Sequence, residues 1–173
     1  MSKEIITHRC GHSVETEIKP PMKNFHGKMK RNYFDGWQEW RIAQLEKELC
    51  PICYEKERNE KIEKENREAQ EKSQKRNLPP LTGSEKQIAW ATTIRINTLE
   101  YVEECLVQKK EWANSAHKEE NRLSRNKKVD DMEEAANKIL SINSSKFWIE
   151  ERASLKSIEN IVSNAEVWLK EYK

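Results

Sequence analysis

From Ser84 to Lys173 the chain contains neither glycine nor proline, and all four glycines and five prolines lie upstream. So long a stretch without a breaker, rich in Glu, Lys, Leu, Ile and Ala, is predicted to be helical almost throughout. Hydrophobic residues make up 35% of the chain and charged ones 36%, so each helix is expected to bury a single stripe around a thin core. Ser84 with Gln87 three positions on matches a capping box and sets the first helix start. Ile88, Ala91, Ile94, Arg95, Thr98, Leu99, Tyr101, Val102, Cys105 and Leu106 then recur on one helical face that is expected to end near Trp112. Trp90, on the flank of that face, reads as a core aromatic in preference to an exposed partner contact, and Cys105 as a core filler.

Two more amphipathic segments follow. One begins at Asp130 or Asp131 and runs through Met132, Ala135, Ala136, Ile139 and Leu140. The other carries Phe147, Trp148, Leu155, Ile158, Ile161, Val162, Ala165, Trp168 and Leu169, with Asn143-Ser144-Ser145 as the connection between them. Three such helices can bury their stripes together as a small bundle.

Upstream, Leu78-Pro79-Pro80-Leu81-Thr82-Gly83 is the clearest internal boundary. Between Tyr54 and Arg76 only Ile62 and Ala69 are apolar, and Glu57 with Lys61, Glu60 with Lys64 and Glu68 with Lys72 are spaced for ion pairs one turn apart. This predicts a solvated helix acting as a rigid spacer, and no sustained apolar heptad supports a coiled coil. A further helix is expected from about Asn32 to Leu49, its stripe formed by Tyr33, Trp37, Trp40, Ile42, Ala43 and Leu45, with a start nearer Asp35 equally acceptable because of Gly36. Ahead of it, residues 4 to 18 alternate as a hairpin that turns at Cys10-Gly11-His12 and ends at Pro20-Pro21.

A two-stranded hairpin alone is marginal in water, and its turn carries what can hold it. Cys10 and His12, with Cys50 and Cys53 of Cys-Pro-Ile-Cys, provide four soft ligands in two short clusters, the pattern of one structural zinc ion. His8 is an alternative to His12 as the fourth ligand. Gly11 favours His12, because two ligands flanking one residue need a permissive turn between them. A Cys50–Cys53 disulfide is disfavoured by the charged start, which does not read as a secretory leader and points to a reducing cytoplasm. A redox pair would need a βαβ setting that the Lys/Glu-rich surroundings do not offer.

With 32 basic and 30 acidic residues, the total charge implies neither a dedicated nucleic-acid tracker nor an acidic DNA mimic. Locally, Lys19, Lys23, Lys28, Lys30 and Arg31 lie in a stretch from Lys19 to Phe34 without any acidic residue, the best sequence candidate for contact with phosphate or an acidic partner. No apolar run approaches the length of a membrane span. No Gly-rich phosphate loop, nucleophile elbow or His-Glu-x-x-His occurs, and His12-Ser13-Val14 lacks the glutamate of the zinc deaminases, so catalysis and a small-molecule substrate are not expected.

Cys10-Gly11-His12, then Leu49 to Tyr54, then Leu81-Thr-Gly-Ser-Glu-Lys-Gln-Ile-Ala-Trp-Ala91 with Ile94-Arg95, follow an order that resembles a family of small zinc-knuckle proteins of Gram-positive bacteria and their phages. The resemblance spans about residues 5 to 100 and implies metal ligation by Cys10, His12, Cys50 and Cys53. The chain is also similar in character to type II anti-CRISPR proteins of streptococcal phages: short, metal-containing, helical and without catalytic residues. That likeness implies a partner, the host's RNA-guided effector nuclease, held off from loading or cutting DNA in the bacterial cytoplasm. A zinc-knuckle nucleic-acid-binding or regulatory module is the alternative. The expected fold is mainly α, with a zinc-stapled hairpin, long helices and a small C-terminal bundle. Its expected divisions are 1–54, a connecting helix over 55–77, and 78–173.

Overall fold

The computed structural model describes residues 2–19 and 36–172. The protein is mainly α with one short antiparallel hairpin. In chain order the elements are β1 (Ser2–Thr7), β2 (Ser13–Ile18), α1 (Trp37–Lys47), α2 (Pro51–Lys75), α3 (Glu85–Asn114), α4 (Glu119–Leu140), α5 (Ser145–Glu150), a 3₁₀ helix (Glu151–Lys156) and α6 (Ile158–Glu171). They form two compact units, Met1–Ile62 and Glu63–Lys173, and the division falls inside α2. The expected stop at Pro20-Pro21, the expected start of the first helix at about Asn32 or nearer Asp35, and the basic positions Lys23, Lys28, Lys30 and Arg31 lie outside the described residues. Lys19 is described, exposed, and 3.3 Å from Glu17.

In the first unit the pleat decides what is covered. The register pairs Ile5 with Glu15 and Ile6 with Val14, and alternate residues point to opposite faces. Ile5 is therefore exposed while Ile6 and Ile18 pack with Leu45 of α1, and Trp37 and Ile42 flank this cluster. Trp40 and Ala43, expected on the same stripe, face solvent instead. Positions 37, 42 and 45 already cover the narrow face that two strands present.

In the second unit α3, α4, α5 and α6 enclose one core. Ala91, Phe147, Trp148 and Ile161 are its most deeply buried residues, with Ile139, Ile142 and Leu155 beside them. Phe147 meets Trp148 and Trp168 edge to face, with ring centroids 5.0 and 5.5 Å apart. The indole of Trp148 donates to the Ile142 carbonyl at 3.1 Å, so the one polar atom of this buried ring is satisfied. The capping box at Ser84 and Gln87 is formed. Just ahead of it, Gly83 sits at φ +145°, and a Cβ there would run into the Ser145 hydroxyl. That close approach lets Thr82 exchange backbone hydrogen bonds with Asn143 (2.8 Å) and Ser145 (3.0 Å), pinning the Pro-Pro boundary to the α4–α5 connection.

Three expectations are corrected. α4 begins at Glu119, not Asp130, because helix-forming charged residues extend it over a stretch whose apolar positions before Val129 reduce to the exposed Leu123. The last predicted helix is split: Ser157, extended at φ −126°, caps α6 by accepting from the Asn160 amide, and the 3₁₀ turn precedes it. Trp90 is exposed, because the buried face of α3 is set by Ala91, Thr92, Arg95, Ile96, Thr98 and Val102.

The charged helix α2 is not a free spacer over its last turns. Ala69 and Ser73 are buried, and Lys72 and Arg76 reach Glu100 and Glu103 of α3, the second pair through both guanidinium nitrogens. Lys72 is thereby diverted from its expected partner Glu68, which pairs with Lys64 instead. Asn77, in the left-handed conformation at φ 49°, ends α2, its amide bonding to the Gln74 carbonyl and that of Leu78 to Ser73. Arg95, read in the sequence as part of an apolar face, is buried and spans this helix end: it donates to the Pro79 carbonyl at 2.8 Å and to the Ser73 hydroxyl at 3.0 Å. A cation at the negative end of a helix dipole offsets part of its desolvation. Burial still pulls its pKa below the usual guanidinium value.

Candidate metal centre

Within the first unit Cys10, His12, Cys50 and Cys53 come together, with their ligand atoms all within 4.8 Å of one another. The hairpin turn delivers the first pair. Gly11 takes φ +79° there, with open space around the position of a Cβ, so it is the backbone conformation and not crowding that calls for glycine. The Gly11 amide donates to the His8 carbonyl at 2.8 Å and the His8 amide to the His12 carbonyl at 3.0 Å, closing the turn around the pair.

The second pair sits at the start of α2. Pro51 is its first residue, where the missing N–H costs no helical hydrogen bond. The Cys50 carbonyl accepts the first helical bond, from Tyr54 at 2.9 Å. Cys50 Sγ accepts from the Cys53 amide at 3.4 Å, taking the place of a capping hydroxyl. A matching amide, that of Cys50, donates to Cys10 Sγ at 3.4 Å. The Arg9 amide donates to the Glu48 carbonyl at 3.2 Å, joining the turn to the end of α1 and fixing the two ligand pairs face to face.

His12 presents Nδ1 to the cluster, 3.2 Å from Cys53 Sγ and 3.7 Å from Cys50 Sγ. His8 does not take part. It lies just past β1, on the same covered side as Ile6, is buried to 4% exposure, and neither ring nitrogen has a hydrogen-bond partner among the described residues. The choice between the two histidines, open in the sequence, is thus made by strand parity: position 8 points into the hairpin's packing face and position 12 lies past the turn.

The electrostatics show what the cluster lacks by itself. The Cys50 amide, followed by that of His12, holds the Cys10 thiol down to about 6, whereas hydrogen bonding with Cys50 and then burial push Cys53 up to about 11. Three sulfurs this close cannot all be thiolates unless a cation stands among them. The donor set, three thiols and one imidazole with amides directed at two of the sulfurs, fits a soft or borderline metal ion. None of the three sulfurs is joined to another, and Cys105 is a free thiol half-buried beside the helical core.

No protein-family model, curated protein or solved structure matches the chain. Among the described residues no helix is long and apolar enough to cross a membrane.

Proposed function

We propose that Cys10, His12, Cys50 and Cys53 hold one structural Zn²⁺ and that the protein is a non-enzymatic binding protein of the phage inhibitor type, directed at an RNA-guided effector nuclease. The observation that carries the metal assignment is the meeting of the four ligand atoms within 4.8 Å. With zinc–sulfur bonds of about 2.3 Å and zinc–nitrogen bonds of about 2.0–2.1 Å, a regular tetrahedron places sulfur and nitrogen about 3.6 Å apart. The 3.2 and 3.7 Å separations at His12 bracket that value. Four protein ligands fill a tetrahedral sphere and leave no position for a reactive water, which favours a structural over a catalytic ion. The ion would be the link that ties the hairpin turn to the start of α2.

The nuclease as target rests on the resemblance to anti-CRISPR proteins, and the balanced charge favours occlusion of a protein surface over imitation of DNA. The acid-free stretch from Lys19 to Phe34 supports a second reading, a zinc-knuckle module that contacts phosphate. Metal analysis of protein purified without chelator should give one zinc per chain, and size-exclusion chromatography with the effector nuclease should give a stoichiometric complex that no longer cleaves. Protein free of metal would sink the first part. Absence of a complex, together with DNA affinity falling linearly on a log–log salt plot, would replace the inhibitor with the second reading.

A further inference from the structure

The helical unit carries a groove of about 460 Å³ between α3 and the 3₁₀ helix, separate from any metal ligand. Ile94, Tyr101 and Leu155 give it an apolar lining, with Asn97, Arg152 and Lys156 among its polar residues. Trp90, Ile94, Asn97 and Tyr101 fall at i, i+4, i+7 and i+11, one continuous face of α3, so Trp90 extends the groove wall toward the helix start. The Trp90 ring is 48% exposed, and the Arg152 guanidinium lies 5.6 Å from its centroid.

The charges lining this groove are unbalanced. Lys72, Arg76, Lys110 and Lys138 each meet a carboxylate. Arg152 donates to the Ile149 carbonyl at 2.6 Å and lies by the Trp90 ring, and among the described residues neither it nor Lys156 has a carboxylate partner. Among the described residues no acidic one lines the groove. An apolar trough edged by two uncompensated cations and a half-exposed tryptophan combines the residue types that dominate binding energy at protein interfaces.

We infer that this groove is a docking site for an acidic amphipathic segment of a partner protein, one that inserts apolar side chains between α3 and the 3₁₀ helix and sets carboxylates against Arg152 and Lys156. Nucleic acid suits it less well: phosphates would find the two cations, but the apolar lining rewards side-chain insertion more than contact with base edges. The inference concerns the helical unit and does not depend on the metal assignment.

The test is a random peptide library displayed on phage and panned on the full chain, with the selected peptides then measured by fluorescence anisotropy. Selected sequences should place Asp or Glu around Phe, Leu or Trp. Trp90→Ala, and separately the pair Arg152→Glu with Lys156→Glu, should each weaken them about tenfold or more. All three positions are exposed, so the variants should keep the parent's thermal midpoint. Binding should survive chelation, which separates this site from the metal centre. A library that yields no ligand, ligands without acidic residues, unchanged affinity in either variant, loss of binding on chelation, or displacement by oligothymidylate would each overturn the inference.

Discussion

The sharpest consequence of the proposed metal site concerns the two histidines that frame Cys10. The imidazole of His8 is buried with both nitrogens unpaired among the described residues, and an unsatisfied buried polar group costs about 1–3 kcal/mol. Leucine at this position would remove that cost and pack against the same face as Ile6. His8→Leu is therefore expected to retain the ion and to stabilise the first unit by about 1–2 kcal/mol, a rise in midpoint of about 4–8 °C per kcal/mol for a unit of this size. His12→Ala, by contrast, removes the group 3.2 Å from Cys53 Sγ and 3.7 Å from Cys50 Sγ. Metal binding in small zinc folds is worth on the order of 10 kcal/mol, comparable to or above the roughly 5–9 kcal/mol that full burial of Ile6, Ile18 and Leu45 supplies. A weakened site should therefore cost the hairpin its protection. The assay is zinc content by mass spectrometry with hydrogen exchange resolved by segment. In His12→Ala, residues 2–18 and 37–50 should exchange freely while α3 to α6 stay protected. Loss of zinc in His8→Leu, or full zinc and full protection in His12→Ala, would refute the reasoning.

Other outcomes follow from the helical unit. Gly83→Ala forces a side chain into φ +145° and against Ser145, so it should lower the unit's stability by about 2–3 kcal/mol in thermal or urea unfolding. Ser84→Ala removes the hydroxyl that caps α3 at the Gln87 amide and should cost about 1 kcal/mol, against 3–5 kcal/mol or so for Trp148→Ala in the same assay. Tyr172, packed on Phe147 at 5.3 Å and donating to Glu150 at 3.2 Å, has its hydroxyl pushed up to about 12 by burial and that hydrogen bond, from an ordinary 10.0. Its contribution to stability is thus complete below pH 10 and lost as the pH rises through 12. Ultraviolet titration should show Tyr172→Phe lacking this late-ionising phenol, and a Tyr172 that ionises near pH 10 in the folded protein would contradict the packing.

Much of this architecture is local in origin. The capping box at Ser84, the hairpin turn at Cys10-Gly11-His12, the stripe from Ile88 to Leu106 and the ligand spacing within Cys-x-His and within Cys-x-x-Cys all follow from short-range rules of period, φ and ligand geometry, and such rules are legible in one chain. Where composition hid periodicity, as in the charged first half of α4, the element was present but its start was not readable. The split before α6 did leave a trace, Ser157 with Asn160 three residues on, easily lost inside a continuous apolar pattern.

Other properties were settled only when segments met. Which histidine joins the cysteines depends on which strand face α1 covers. Whether Lys72 pairs along its own helix or with Glu100 depends on α3 lying beside the end of α2. Trp90 is exposed because Ala91 and Ile96 fill the inner face first, and Arg152 is set beside it by a turn some sixty residues later. The sequence alone determined helix content and a Cys/His ligand set able to hold a metal ion, since these are properties of single residues and short spacings. The tertiary structure decided burial, partner choice and the cationic groove, because each is a comparison among side chains that only folding brings within reach.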